Sequence, residues 1–95
     1  MADTNSTVYV IDDDDFVRDA LRTLLKSYGF KTKVFESAES FLKSGHHRKK
    51  GFLVLDVQLP GMNGLELQRY LTDTGIALPI VFISAHEDNR VRTKA

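Results

Sequence analysis

Phe52-Leu53-Val54-Leu55-Asp56-Val57-Gln58-Leu59-Pro60-Gly61-Met62-Asn63-Gly64 decides how the rest of the chain is read. Four apolar residues run without a polar break into one aspartate. Such a run suits a strand buried on both faces, as in a parallel sheet covered by helices. A charge is tolerated where the strand leaves the core, which places Asp56 at its carboxyl end. Pro60-Gly61 and Asn63-Gly64 are turn dipeptides, so the chain loops before regular structure resumes. A carboxylate on a rigid strand tip, followed by a shaped loop, is a candidate for chemistry.

Working outward, Thr7-Val8-Tyr9-Val10-Ile11 reads as a buried strand ended by the acids Asp12 to Asp15. Helical spacing follows, with Phe16, Val17, Ala20, Leu21, Leu24, Leu25 and Tyr28 on one face. Asp14 or Asp15 supplies its N-cap and Gly29 its stop. Thr32-Lys33-Val34-Phe35 is a short, less apolar strand, expected at an edge. Ser37 caps a short helix running to Ser44, with Ala38, Phe41 and Leu42 inward. Gly45 to Gly51 reads as a solvated basic loop.

Beyond the central strand and its loop, a helix runs from about Gly64 to Thr74, with Leu67 and Leu71 stacked at i,i+4 and Tyr70 beside them. Gly75 closes it. Pro79 to Ile83 is a fourth strand, and Ser84-Ala85-His86 leave its tip. Glu87 to Ala95 reads as the beginning of a further helix.

Alternating strands and helices imply right-handed βαβ units and a parallel sheet. Ligands of open sheets bind beyond the carboxyl ends of the strands, where strand order reverses. The tips of strands one, three and four carry Asp12 and Asp13, Asp56, and Ser84. Neighbouring strands lie about 4.8 Å apart, so these side chains can converge.

Composition narrows the function classes. With 95 residues the chain holds one domain at most, and 13 basic against 13 acidic side chains leave no global field for nucleic acid or membrane. Arg48-Lys49-Lys50 are too few for a nucleic-acid footprint. There is no cysteine, so disulfide and thiolate chemistry are out, in keeping with a reducing cytosol. The polar start lacks the apolar core of a signal peptide, and the longest apolar stretch, Ile76 to Ala85, is too short to span a bilayer. The expectation is a soluble, cytoplasmic protein.

Three carboxylates forced together repel, and at neutral pH they either hold a proton or bind a cation. Oxygen ligands without nearby His or Cys favour a hard ion such as Mg²⁺, with Mn²⁺ an alternative. The expected shell is Asp13, Asp56, the Gln58 carbonyl and waters, one of them oriented by Asp12. A metal-bound phosphoryl group beside Asp56 would be open to in-line attack by its carboxylate. Ser84 Oγ is placed to donate to a phosphoryl oxygen.

The segments Val10-Ile11-Asp12-Asp13-Asp14, Leu55-Asp56-Val57-Gln58-Leu59-Pro60-Gly61-Met62-Asn63-Gly64 and Ile83-Ser84-Ala85 resemble the receiver domain of bacterial response regulators. The resemblance covers essentially the whole chain, and the D-x-x-L-P-G-M-N-G loop is its specific part. Phe35 to Leu42 is most similar to regulators of the FixJ/NarL type, which carry a LuxR-type DNA-binding domain after the receiver.

The resemblance implies an α/β, flavodoxin-like, doubly wound parallel sheet of strand order 2-1-3-4, in one receiver domain over residues 1–95. It implies that Asp56 accepts phosphate from a sensor histidine kinase, that Asp12 and Asp13 hold Mg²⁺, and that Ser84 moves onto the phosphoryl group. The activity is that of a phosphoacceptor rather than a turnover enzyme.

Receivers of this family continue into a fifth strand and fifth helix, the strand ending in a lysine that pairs with the phosphoryl group. No residue here matches that lysine; Lys94, the lysine nearest in sequence, would sit on the fourth helix. A phosphoryl group of about −1.5 to −2 charge is then less well neutralised, so metal binding is expected to survive better than phosphoryl transfer. Strand four is expected to be an open edge, inviting a homodimer or exchange of the C-terminal segment.

Plainer readings stand beside these. Asp14 and Asp15 suit a solvated helix N-terminus, Asn63 and Gly64 loop geometry, and Arg18 a pair with a nearby helix acid. His46, His47 and His86 read as solvated loop residues.

Two function classes compete with the phosphoacceptor. A receiver-like scaffold that takes no phosphate is one. A phosphohydrolase of the haloacid-dehalogenase type also begins with strand-Asp-x-Asp, but it wants a small hydroxyl two positions after its second Asp. Here Phe16 or Val17 stands there. A calcium loop fails because Val17 replaces its glycine and Thr23 its bidentate acid.

Overall fold

The computed structural model describes residues 7–83. Strand β1 (Thr7–Ile11) leads into helix α1 (Asp15–Ser27), then β2 (Lys31–Phe35), α2 (Ala38–Ser44), β3 (Gly51–Asp56), α3 (Gly64–Asp73) and β4 (Ile80–Ile83). The strands form one parallel sheet in the order β2-β1-β3-β4, the expected flavodoxin-like arrangement. β2 lies at an edge because Lys31 and Lys33 keep it half-polar.

Local chemistry starts the first two helices as anticipated and caps the third with a residue read only as loop geometry. Asp14 caps α1 by accepting from the Phe16 amide, and Ser37 caps α2 through the Ser40 amide. Asn63 and Glu66 form a reciprocal capping box at α3, satisfying two amides that the helix itself cannot bond.

The chain moves from β1 outward to β2 and then back across β1 to β3. Right-handed crossovers therefore put α1 on one face and α2 and α3 on the other. The core lies on the α2–α3 face, where Tyr9, Ile11, Leu53 and Leu55 meet Phe41, Leu67 and Leu71.

The other face corrects two expectations. α1 packs over β1 and β2, burying Val8 and Val10, while Phe52 of β3 and Val81 of β4 stay exposed, Val81 at 57%. On that face β3 is thus buried only at its end, with Phe52 exposed and Val54 half-buried before Asp56. One helix is about 10 Å across and covers about two strands. Nor does the whole apolar arc of α1 turn inward. Val17, Leu21 and Leu25 are half-buried, whereas Phe16 (87% exposed), Leu24 and Tyr28 face out. An arc that wide exceeds what one helix can press onto a sheet along a line of contact.

The Gly45–Gly51 connection also differs from a solvated loop. Gly45 takes a left-handed conformation (φ 80°), and a 3₁₀ turn at His46–Arg48 swings back under the core. His47 is only 6% exposed, with ring centroids 6.1 Å from Phe41 and 6.4 Å from Tyr70. Burial holds its imidazole below the ordinary value, and Arg48 adds repulsion. His46 packs on Tyr9 and Phe35, and its pKa is lowered by burial first and then by Lys33 and Lys49. Imidazole is half apolar, and the aromatic residues above the loop supply a surface for it.

Candidate functional site

The site is built from two strand ends. The Asp12 amide donates to the Phe35 carbonyl (3.1 Å) at the tip of β2, which fixes the chain as it leaves β1. Asp12 Oδ1 accepts from the Asp14 amide (2.8 Å), and Arg18 Nη1 from α1 donates to the Asp12 carbonyl (2.6 Å). Arg18 also pairs with Asp15, the helix acid anticipated for it. On the adjacent strand β3, Asp56 Oδ1 accepts from the Gln58 amide (2.9 Å), and the Val57 amide donates to the Ile83 carbonyl of β4 (3.3 Å). Alternation along β3 points Asp56 to the α1 side, as it does Phe52 and Val54.

Carboxylate oxygens of Asp12, Asp13 and Asp56 all lie within 4.8 Å of one another. Asp12 and Asp56 are fully buried, while Asp13 is exposed and leaves the cluster open to water. Burying like charges together is costly unless a proton or cation offsets it, so the donor set suits a hard divalent ion. Octahedral Mg²⁺ spans roughly 4.1 Å between opposite ligand oxygens, close to this opening.

The loop after Asp56 is tightly made. Leu59 is buried as its anchor, and the Gly64 amide donates to the Val57 carbonyl (3.1 Å). Gly64 is required by close approach, since a Cβ there would lie 2.9 Å from the Asp56 carbonyl oxygen and 3.0 Å from Val57 Cα. Gly61 has φ +70° and faces the Glu39 carboxylate, whose Oε2 accepts from the Met62 amide (2.9 Å). Glu39 escaped sequence reasoning because it reads as an ordinary exposed helix acid; no local signal marks it. Ser84, together with His86 and Lys94, lies outside the described residues.

Comparisons with known proteins agree with this geometry. The model of the response regulator receiver domain matches residues 8–95. The chain belongs to that family. This receiver is 43% identical over 95 residues to the response regulator protein TmoT of Ectopseudomonas mendocina, matching all of this chain and 43% of that protein. It is 40% identical over 85 residues to the transcriptional regulatory protein FixJ of Rhizobium meliloti (strain 1021), covering 90% of this chain and 42% of FixJ. Among solved structures, the response regulator StyR superposes with a TM-score of 0.79 at 48% identity, covering 83% of this chain and 40% of StyR. The FixJ-N crystal structure gives a TM-score of 0.78 at 39% identity, covering 88% and 66% of the two chains. The receiver thus spans less than half the length of these curated relatives. Among the described residues, no helix is long and apolar enough to cross a membrane.

Proposed function

We propose that this receiver accepts a phosphoryl group on Asp56 from the phosphohistidine of a sensor histidine kinase. Mg²⁺, or Mn²⁺ in its place, would be held by Asp12, Asp13, Asp56 and the Gln58 carbonyl. The observation carrying this reading is the gathering of two buried carboxylates and one exposed carboxylate at the tips of adjacent strands. When bound, the ion supplies positive charge against the carboxylates and the phosphoryl oxygens.

The chain's own residues do the rest. The Asp56 carboxylate attacks phosphorus while the phosphorus–nitrogen bond of the donor breaks, its electron pair returning to the imidazole. A mixed carboxylic–phosphoric anhydride forms on Asp56. β3 holds the acceptor rigid, and Gln58 orients it through the backbone amide. Ser84, next in sequence after β4, serves as the hydroxyl that donates to the phosphoryl group. The chain is one cytoplasmic domain over residues 1–95 that acts as a signalling switch. The relatives' description as transcriptional regulators supports a transcriptional output for a longer parent. β4 is the terminal strand among the described residues, which supports association of two copies through that edge. A concentration-independent monomer in sedimentation would refute that association.

The deciding experiment is intact-mass measurement after incubation with Mg²⁺ and a small phosphodonor. One acid-labile phosphate, lost in Asp56→Asn, is expected. No adduct would favour the interaction scaffold. Steady turnover of phosphate monoesters would favour the phosphohydrolase.

A further inference from the structure

We infer that Glu39 is a positioning residue for the metal site: from α2, its carboxylate clamps the β3–α3 loop and so sets where the Gln58 carbonyl stands beside Asp56. The inference rests on the phosphoacceptor reading of that site. Glu39 and Met62 are 23 residues apart in sequence, yet the Met62 amide donates to Glu39 Oε2 at 2.9 Å. The backbone next to it is shaped for the same group. Gly61 sits at φ +70°, which favours glycine, and a Cβ there would stand 2.6 Å from Oε2 and displace the carboxylate.

Besides buried Leu59 and the Gly64–Val57 backbone bond, side-chain hydrogen bonds tie the loop at three places. Its start is held by the Gln58 amide on Asp56 Oδ1 (2.9 Å), and its end by the capping box of Asn63 and Glu66. Glu39 supplies the tie between them. The Met62 amide in turn holds the Glu39 carboxyl below its ordinary range, since the hydrogen bond favours the ionised form.

The coupling follows from what the ion demands. Mg²⁺ accepts oxygens only in a near-octahedral shell at about 2.0–2.1 Å. A backbone carbonyl on a loop meets that demand only if the loop is held before the ion arrives. Gln58 lies between the tie at Asp56 and the tie at Met62. Releasing the second leaves the buried Leu59 alone to hold the stretch between Gln58 and Met62, which loosens the Gln58 carbonyl while leaving the carboxylates on their strand tips. α2 thereby becomes a lever on the site, since a displacement of this helix is passed through Glu39 to the loop.

The test titrates Mg²⁺ into the 95-residue chain, following amide resonances from Asp56 to Met62, with melting curves as a control for folding. Glu39→Ala is expected to weaken Mg²⁺ about three- to tenfold, the worth of one hydrogen bond, and to speed exchange of the Met62 amide by a similar factor. Glu39→Gln keeps an oxygen acceptor and is expected to restore most of both. Gly61→Ala, which pushes the carboxylate away, should resemble Glu39→Ala. The double variant should lose less than the two single losses multiplied together.

Mg²⁺ affinity and Met62 exchange unchanged in Glu39→Ala would overturn the clamp. So would Gly61→Ala and Glu39→Ala acting independently, a comparison that holds even if one variant melts early. A wild-type chain without any saturable Mg²⁺ response near Asp56 removes the phosphoacceptor reading itself. A wild-type response with an unaffected Glu39→Ala removes the clamp alone.

Discussion

The two faces of the sheet do different work. On the α2–α3 side, Tyr9, Ile11, Leu53 and Leu55 are enclosed by two helices and the anchored loop residue Leu59. On the α1 side, one helix shelters Val8 and Val10, and Val81 is left 57% exposed. Asp56 follows the alternation of the thin face, at its carboxyl end. The densely packed face therefore sets the position of β3, while the thinner face carries the carboxylate proposed to accept the phosphoryl group. Stability and chemistry are separated by the two-residue period of one strand.

Substitutions along β3 and β4 break or sharpen that contrast. Leu55→Ala, at a fully buried position of the packed face, should cost about 3–5 kcal/mol in urea unfolding, whereas Val81→Ala should stay within about 0.5 kcal/mol. Equal costs would dissolve the distinction. Gly64→Ala drives a Cβ to 2.9 Å from the Asp56 carbonyl oxygen, and overpacking of that kind costs about 1–3 kcal/mol. Its resonance changes should centre on Asp56 and Val57 rather than on α3.

Asn63→Ala removes half of the capping box and should cost about 1 kcal/mol, with the loss read from α3 amide exchange.

The smallest effect is one of pH. His47 is held below its ordinary value of 6.5, so the unfolded chain takes up a proton before the folded one does. Its share of stability is complete well above pH 6.5 and is lost as pH falls from there toward the lowered folded value. His47→Phe should flatten that part of the melting-temperature profile; an unchanged slope between pH 7 and about 5.5 would show that His47 is not its source.

Much of this architecture was legible before any coordinate. Apolar runs and helical spacing located the described strands and α-helices, and Asp14 and Ser37 marked helix starts because a cap is a bond between near neighbours, whereas Asn63, read only as loop geometry, caps α3 as well. The meeting of Asp12, Asp13 and Asp56 was legible too, since parallel strands must end side by side. The burial of His47 was hidden by its cationic neighbours, and the outward turn of Phe16 and Tyr28 by an apolar arc wider than the contact it makes.

By itself, then, the sequence determined which segments are strands and helices, where they start, and that acidic groups crowd one end of the sheet. Those properties depend on residues within a turn or two of one another, or on the parallel order of strands. Only the tertiary structure decided which face would be sealed, which histidine would be buried, and that a helix acid would reach a loop 23 residues away. Such outcomes depend on how much surface one helix can cover and on what happens to lie opposite, and neither is written in any single stretch of the chain.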